Sequence, residues 1–373
     1  MHVLLVGNYE PDRQESMRRF VDCLLRELPR HGVNVELVRP TVWFGRRRIG
    51  GGLDKWLAYL DKYVLFPPVL RRRIQRAPSG SIVHVGDHSN SVYLRDDLEP
   101  RQIVTCHDLL AVRGALGEPT DCPASPAGKL LQRAILRGLQ RAGLVVCDST
   151  ATENDFRRLT GGRRRSQVVR LGLNGPFRRL GLKETRAGLA SLGSVLLDRP
   201  FLVLVGSSLR RKNREFALHL LARLKPRWPG LLVFAGEGLS KSQQALRDAL
   251  DVGDRVIVVQ RPSHEVLEAL YNQAHALLYP SRFEGFGWPI IEAQACGCPV
   301  VCSNTTSLPE VAGNGALIRD VDDEEGFVAD ILSLRDRARR EALVRSGYEN
   351  VKRFQPERMI ADYVAAYRSL ATP

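Results

Sequence analysis

Two glutamates eight positions apart, Glu284 and Glu292, enclose the stretch Glu-Gly-Phe-Gly-Trp-Pro-Ile-Ile-Glu. Pro289 suits the first position of a helix, because its missing N–H has no partner to lose there. Gly285 and Gly287 allow a ligand to come close to the backbone. Backbone N–H groups at a helix start form a site for a phosphate. The two carboxylates, one before the turn and one in the first helical turn, are therefore placed to hold a sugar hydroxyl and a ribose hydroxyl on either side of a pyrophosphate.

A second polar stretch, Gly-Ser-Ser-Leu-Arg-Arg-Lys-Asn from Gly206 to Asn213, lies between a predicted strand and a predicted helix. Cations at such a position can neutralise a leaving diphosphate as its negative charge develops. Arg211 and Lys212 are the candidates for this role. The alternative is a basic loop that only contacts solvent.

Further candidates follow predicted strands elsewhere in the chain. His107 and Asp108 come directly after one strand, and a histidine there is either structural or a ligand-binding group. Gly236 opens a Gly-Glu-Gly turn, which is a plain turn or a ligand-binding one. Asp148 and Ser149 are interpreted as a cap for the next helix.

Short apolar segments alternate with helical patterns along the whole chain, which predicts an α/β fold with parallel, doubly wound sheets. The pattern restarts near residue 200, so we expect two Rossmann-like domains, with ligands at the carboxyl ends of their strands. The expected boundaries are 1–175 and 176–352, with 353–373 a C-terminal helix that packs back towards the N-terminal domain. The predicted strands are 3–6, 33–38, 82–85, 103–106, 144–147, 168–171, 201–205, 231–235, 256–259, 276–279 and 299–302.

The composition indicates a globular protein. Of 373 residues, 44% are hydrophobic and 26% are charged, which excludes a disordered chain, and no apolar run reaches membrane-spanning length. The first residues are interpreted as a strand and not as a signal peptide. Seven irregularly spaced cysteines favour a reduced, cytoplasmic protein.

The net charge of +14 lies mostly in the first 175 residues, with clusters at Arg46–Arg48, Arg71–Arg73 and Arg163–Arg165. This favours an anionic partner such as a membrane surface, unless the whole proteome is arginine-rich. Nucleic acid is not expected, because the arginines are not interleaved with stacking aromatics. A predicted helix at 53–64 fits a membrane surface or, as we favour, a core-facing element. Its apolar face carries Leu53, Trp56, Leu57, Leu60, Tyr63 and Val64.

The stretch from Ser281 to Ala293, continuing to Val301, resembles the donor-binding signature of the family-4 retaining glycosyltransferases. Ser-Leu-Pro-Glu-Val at 307–311 matches the segment that follows it in that family. The resemblance is dense over 201–315 and weaker over the first half. It implies a GT-B fold, with two Rossmann-like domains that face each other across a cleft. It also implies a nucleotide-sugar donor held mostly by the second domain, no metal and no other cofactor.

The resemblance also implies roles for the residues of the signature. Glu284 would contact the transferred sugar, and Glu292 would bind the nucleotide ribose. The amides of Gly285, Phe286 and Gly287 would hold the sugar and the diphosphate.

The polar stretch after the strand at 201–205 resembles the family's Gly…Arg-Lys-Asn element. Gly206, Arg211 and Lys212 match it, and Arg211 and Lys212 would then contact the diphosphate. Some relatives carry an arginine directly after the glycine, where this chain has Ser207.

Three residues outside this stretch match further positions of the family. His107 corresponds to a histidine near the transferred sugar, where it would bond a hydroxyl or help to position the acceptor, and Asp108 would hold His107 or cap the next segment. The loop at Gly7 would face the donor phosphates and the acceptor, although it lacks the paired glycines of many relatives. Gly236 would lie near the nucleotide.

The sequence therefore predicts retaining transfer of a hexose from GDP-mannose or a UDP-sugar to a hydroxyl of a glycan, lipid-linked or small-molecule acceptor. No protein nucleophile is evident, so the acceptor would attack on the face from which the diphosphate departs. The expected location is the cytoplasm, with the inner membrane face as an option. The alternatives are a nucleotide-sugar epimerase of the same fold and a basic protein that binds nucleic acid or membranes.

Overall fold

The computed structural model describes residues 1–12, 14–45, 53–98 and 101–371. They form two compact units. The N-terminal unit is Met1–Asn174 together with Pro356–Pro373, and the C-terminal unit is Gly175–Gln355. Within these described ranges, we find no helix with both the length and the apolar character needed to cross a membrane.

A parallel sheet of six strands forms the centre of the N-terminal unit, as far as its residues are described. The strand order is β2-β1-β3-β4-β5-β6, so the direction of winding changes between β1 and β3. The central strand β4 is buried at every position, as expected when helices cover both faces of a parallel sheet. The strands are β1 His2–Val6, β2 Asn34–Val38, β3 Ile82–Val85, β4 Gln102–Cys106, β5 Leu144–Cys147 and β6 Ser166–Val168. The helices are α1 Glu15–Glu27, α2 Leu53–Leu60, α3 Phe66–Arg76, α4 Leu110–Ala115, α5 Pro126–Leu139 and α6 Thr150–Thr160, and the π-helical turn Asp61–Leu65 joins α2 to α3.

The C-terminal unit, where described, contains a second parallel sheet of six strands. Its order is β12-β11-β10-β7-β8-β9, and the winding changes between β7 and β10. The strands are β7 Phe201–Gly206, β8 Leu231–Gly236, β9 Val256–Gln260, β10 Ala276–Tyr279, β11 Val300–Ser303 and β12 Ala316–Arg319. The helices are α7 Leu182–Leu189, α8 Val195–Asp198, α9 Arg214–Leu224, α10 Lys241–Ala249, α11 His264–Gln273, α12 Trp288–Ala295, α13 Leu308–Ala312, α14 Glu324–Ser333 and α15 Arg337–Val351.

The last helix, α16 Pro356–Ala371, belongs to the N-terminal unit. Its Tyr367 hydroxyl lies 2.8 Å from Nδ1 of the buried His84, and its Tyr363 hydroxyl lies 2.9 Å from Oγ1 of Thr105. These buried polar contacts join α16 to β3 and β4. Burial lowers the pKa of His84 to about 3, so its imidazole is neutral in this position.

Three local predictions were wrong. The last strand of the N-terminal sheet begins at Ser166 and not at 168. Strand β12 was missed, because it is an edge strand of only four residues that is half-buried throughout. The helix predicted at 53–64 does not bury its apolar face throughout, since Trp56 is 65% exposed and Val64 is also exposed.

Candidate functional site

The switch point of the C-terminal sheet brings together the two polar stretches found in the sequence. Strands β7 and β10 are neighbours, with Leu202 paired to Ala276. The loops that follow them therefore leave the same edge of the sheet, where ligands of such sheets bind. One loop carries Arg211 and Lys212, and the other carries Glu284.

Glu284 lies between these two cations. It accepts a hydrogen bond of 2.6 Å from Nζ of Lys212 and one of 2.8 Å from Nη1 of Arg211, and its exposed fraction is only 6%. Burial alone would raise the pKa of Glu284, but the positive charges of Lys212 and Arg211 outweigh it and lower the pKa to about 2. The carboxylate is therefore ionised throughout the neutral range.

Lys212 is itself buried and also donates to the hydroxyl of Tyr279 over 3.0 Å. Burial lowers the pKa of Lys212, while the negative charge of Glu284 opposes that shift. Because two cations share one carboxylate, the cluster of Arg211, Lys212 and Glu284 has a net positive charge. Such a charge attracts an anion such as a phosphate.

The loop from Glu284 to Gly287 is held by residues whose roles the sequence reasoning missed. Ser307 Oγ donates to the carbonyl oxygens of Glu284 and Phe286, over 3.0 and 2.8 Å. Oγ1 of Thr306 accepts from the amide of Glu284 over 3.0 Å. The resemblance over 307–311 was a signal that could have pointed to Ser307, whereas Thr306 lies outside that segment.

Gly287 caps α12 with a φ of 107°, a conformation that favours glycine. The helix begins at Trp288, so Pro289 occupies its second position, and Glu292 lies in the second turn and not in the predicted first one. Glu292 is buried and accepts a 2.8 Å hydrogen bond from the hydroxyl of Tyr271. Burial, with the charge of Glu292, raises the pKa of Tyr271 well above its ordinary value, so this phenol stays a donor.

Two glycines lie side by side where β7 and β8 end. Gly206 pairs with Gly236, and the two have φ angles of 141° and 136°. A Cβ on Gly236 would lie 2.3 Å from the carbonyl oxygen of Gly206, so only glycine fits. Ser208, two residues after Gly206, donates from its amide and its hydroxyl to Glu237. Ser207 lies between these contacts at the same sheet edge.

Arg214, at the start of α9, is a further residue that the sequence reasoning missed. Its guanidinium donates to the carbonyl oxygens of Gly206, Glu237 and Gly238. In the sequence it is one more arginine after Lys212, and nothing in its type or spacing signals burial.

His107 occupies the carboxyl edge of the N-terminal sheet. Its Nδ1 lies 2.5 Å from Asp148, and its Nε2 lies 3.0 Å from the carbonyl oxygen of Gly86. Burial would lower the pKa of His107, but the negative charge of Asp148 and its hydrogen bond raise it to about 9. At neutral pH the ring is therefore an imidazolium whose two N–H groups both donate within this unit.

Of the two roles predicted for Asp108, the structure supports capping, and the partner of His107 is Asp148, which was predicted to be a helix cap. Asp148 holds the histidine, whereas Asp108 accepts from the amide of Leu110 over 3.1 Å and so caps the next segment. Ser149 alone is the cap of α6, through a hydrogen bond from the amide of Thr152.

Gly7 follows β1 at the N-terminal switch point. The next residue, Asn8, donates to Asp87 over 2.6 Å and accepts from Asn90 over 3.1 Å. This polar group comes from the loops after β1 and β3.

The chain is similar in sequence to known proteins over part of its length. Residues 194–350 match the family model described as "Glycosyl transferases group 1". O-antigen chain mannosyltransferase B of Escherichia coli is 46% identical over 107 residues, which are 28% of this chain and 28% of that protein. D-inositol 3-phosphate glycosyltransferase of Mycolicibacterium smegmatis is 27% identical over 275 residues, or 70% of this chain and 60% of that protein. The alignments thus span less than two thirds of the length of these relatives.

Solved structures show the same fold over nearly the whole chain. Sucrose-phosphate synthase from Thermosynechococcus elongatus superposes with a TM-score of 0.76 at 21% identity, covering 99% of both chains. Anabaena HepE in complex with UDP superposes with a TM-score of 0.72 at 15% identity, covering 99% of this chain and 100% of that one. The predicted GT-B type of fold, built from two Rossmann-like sheets, is confirmed.

Proposed function

We propose that this chain, whose residues 194–350 match the glycosyl transferases group 1 family model, is a retaining hexosyltransferase that moves mannose from GDP-mannose to a hydroxyl of a glycan. The observation that carries the proposal is the buried cluster of Glu284, Lys212 and Arg211 at the switch point of the C-terminal sheet. The mannosyl donor and the glycan acceptor are suggested by the similarity to O-antigen chain mannosyltransferase B.

In the proposed reaction, the bond between the anomeric carbon and the diphosphate oxygen breaks, and the acceptor oxygen bonds to the same face of that carbon. The proton of the acceptor passes to the leaving diphosphate. Lys212 and Arg211 stabilise the charge of the diphosphate, and Glu284 holds both cations in place. Glu284 also positions the sugar and does not attack it. Glu292, held by Tyr271, binds the ribose.

No metal takes part in the proposed reaction, because fixed cations already supply the charge that a metal ion would supply at a diphosphate. Nor does the proposal involve any cofactor. Transfer in excess EDTA tests this point. NMR of the product gives the anomeric configuration, and an inverted product would contradict the retaining route.

The central experiment is a transfer assay with GDP-mannose, and with UDP-glucose as the competing donor, on the wild type and two lysine variants. Lys212→Met should lower the rate about 100-fold, the cost of removing one preorganised stabilising group. Lys225→Met is the matched control, since Lys225 also pairs with a carboxylate, Asp251, but at the far end of α9. Equal activity of the two variants would remove the cluster from the mechanism. An epimerised sugar formed from GDP-mannose alone, without acceptor, would indicate the epimerase instead. The relatives that the chain resembles are named as glycosyltransferases and do not favour that alternative.

We also propose that the N-terminal unit contacts an anionic membrane surface at the cytoplasmic face. Trp43 and Trp56 are 68% and 65% exposed, and Val64, Val69 and the arginines Arg71–Arg73 are exposed along the adjoining helices. Aromatic and apolar side chains beside arginines are typical of surfaces that bind at a lipid interface. The Arg46–Arg48 cluster lies outside the described residues.

Asp61 fixes the position of Trp43 within this surface. Its buried carboxylate accepts from the amides of Trp43, Phe44 and Gly45 and from the hydroxyl of Tyr9. Trp43 is therefore held beside the π-helical turn that continues α2, the helix that carries Trp56.

Vesicle sedimentation tests this surface. Binding to vesicles with phosphatidylserine should fall with salt, and changing Arg71–Arg73 to Gln should weaken it, since each arginine near such a surface contributes about 1 kcal/mol. Changing Arg163–Arg165 to Gln removes equal charge elsewhere and serves as the control. Equal loss in both variants, or equal binding to neutral vesicles, would contradict the proposal.

A further inference from the structure

Arg214 is a buried cation in the C-terminal unit. The packing of the fold does not by itself require a charged side chain at this position. Its exposed fraction is 1%, and its guanidinium lies 5.1 Å from the centre of the Phe234 ring. Burial lowers the pKa of Arg214 to about 10, which still leaves it charged at neutral pH. A buried charge is costly unless it is paired, and a packed apolar side chain would avoid that cost.

The hydrogen bonds found for Arg214 in the described chain all go to main-chain carbonyl oxygens. Nη2 donates to Gly206 over 2.6 Å, and Nη1 donates to Glu237 and Gly238 over 3.0 Å each. Nε is buried and has no hydrogen-bond partner among the described residues. Carbonyl oxygens orient the charge but do not neutralise it. The carboxylate of Glu237, which accepts from Ser208, attracts the guanidinium and so offsets the charge only in part. A partly compensated positive charge therefore lies beside the ends of β7 and β8.

These three contacts also set the direction of the peptide groups that follow. In a planar trans peptide, the carbonyl of one residue and the N–H of the next point in opposite directions. Because the carbonyls of Gly206, Glu237 and Gly238 point at Arg214, the N–H groups of Ser207, Gly238 and Leu239 point away from it. Successive N–H groups that face outwards form a concave site for an anion.

We propose that Arg214 is a positioning residue of the donor site. It holds the peptide groups at the ends of β7 and β8 so that the N–H groups of Ser207, Gly238 and Leu239 face the diphosphate. It also adds a buried positive charge next to Ser207, since its Nη2 contacts the carbonyl of Gly206. The proposal rests on the proposed function, since it takes the anion to be the diphosphate of a nucleotide sugar.

Calorimetric binding of GDP and GMP to the whole chain tests the proposal, with UDP and UMP if the transfer assay selects a uridine donor. Arg214→Met should weaken GDP binding about tenfold or more, in line with the loss of oriented donors, and should change GMP binding much less. The KM for the donor should rise with the dissociation constant, while the KM for the acceptor stays constant. Arg214→Lys keeps the charge but not the forked contacts, so it should restore only part of the preference for the diphosphate.

Arg255 offers a matched control. It also donates to main-chain carbonyls, those of Trp228 and Lys225, and its Nε is likewise buried without a partner in the described residues. It directly precedes β9 and therefore lies at the amino ends of the strands, opposite the carboxyl ends where the candidate site is. Arg255→Met should therefore lower stability but keep the wild-type ratio of GDP to GMP affinity.

A wild-type ratio in Arg214→Met, or an equal loss in Arg255→Met, would overturn the proposal. If Arg214→Met does not fold, Arg214→Lys decides the question, and a wild-type ratio in that variant overturns it as well. A wild type that prefers GDP to GMP but transfers no sugar would count against the proposed function and not against the role of Arg214.

Discussion

Replacing Glu284 with glutamine is the most direct perturbation of the candidate site. The change keeps the shape of the side chain but removes the negative charge between Nζ of Lys212 and Nη1 of Arg211. The two cations then remain buried or half-buried without their shared carboxylate. Loss of one partner from a buried ion pair is strongly destabilising.

The pKa of Glu284 determines the loss of stability expected for Glu284→Gln. It falls from an ordinary value of 4.5 to about 2 in the folded protein, which corresponds to about 3 kcal/mol, since one pKa unit is about 1.4 kcal/mol. Because the folded pKa is depressed, this stabilisation is present above about pH 4.5 and is lost as the pH falls through about 2. Glu284→Gln should therefore be less stable than the wild type at pH 7, and the difference should shrink in acid.

Thermal unfolding followed by circular dichroism measures this difference. A loss of about 3 kcal/mol lowers the melting temperature of a unit of this size by roughly 6–12 °C at pH 7. The same variant should also lose transfer activity about 100-fold, because the cations are no longer held in position. Measurements at pH 7 and pH 3 on both proteins are sufficient.

Asp330→Asn separates stability from catalysis. Asp330 is another buried carboxylate, and it accepts a 2.6 Å hydrogen bond from Nε of Arg319 on β12. This variant should lose stability but keep its kcat. Glu284 would not be the stabilising carboxylate if Glu284→Gln melted like the wild type at pH 7, or if the difference between the two proteins did not change with pH.

Three further outcomes are expected. The pKa of His107 is raised to about 9, so its pair with Asp148 stabilises the fold fully below about pH 6.5, and this stabilisation is lost as the pH rises through about 9. The contribution is at most about 3 kcal/mol, because burial also raises the pKa of Asp148. Melting of His107→Gln should accordingly approach that of the wild type at pH 10, and an unchanged gap would contradict the assignment. Tyr271→Phe removes the donor to Glu292 and should raise the donor KM severalfold with little change in kcat, as steady-state kinetics will show. Ser307→Ala should lower stability by about 1–3 kcal/mol, measured by urea unfolding, because two buried carbonyls lose their donor.

Periodicity in the sequence was sufficient to predict most of the strands and helices of the fold. Apolar segments such as 82–85 and 276–279 are buried on both faces, so they stand out from the helical pattern around them. Strand β12 has a comparable apolar run in Ala-Leu-Ile but was missed, because its half-buried position at the sheet edge is a tertiary property that these four residues do not reveal. The prediction that Trp56 faces the core was wrong, since an exposed aromatic residue at helical spacing cannot be told from a core residue in the sequence.

The sequence by itself determined which residues could carry the chemistry. The two glutamates, the glycines between them and the Arg-Arg-Lys stretch were evident from residue types, spacing and resemblance. The tertiary structure decided which of these groups meet. Glu284 accepts hydrogen bonds from Lys212 and Arg211 because β7 and β10, which are far apart in the chain, are neighbours in the sheet.

Only the tertiary structure could identify Asp148 as the partner of His107 and Arg214 as a buried cation. Asp148 and His107 follow the paired strands β5 and β4, and Arg214 is buried by the ends of β7 and β8. The physical reason is that burial and long-range pairing set the charge state of a group and its partners, and neither property is local to the sequence.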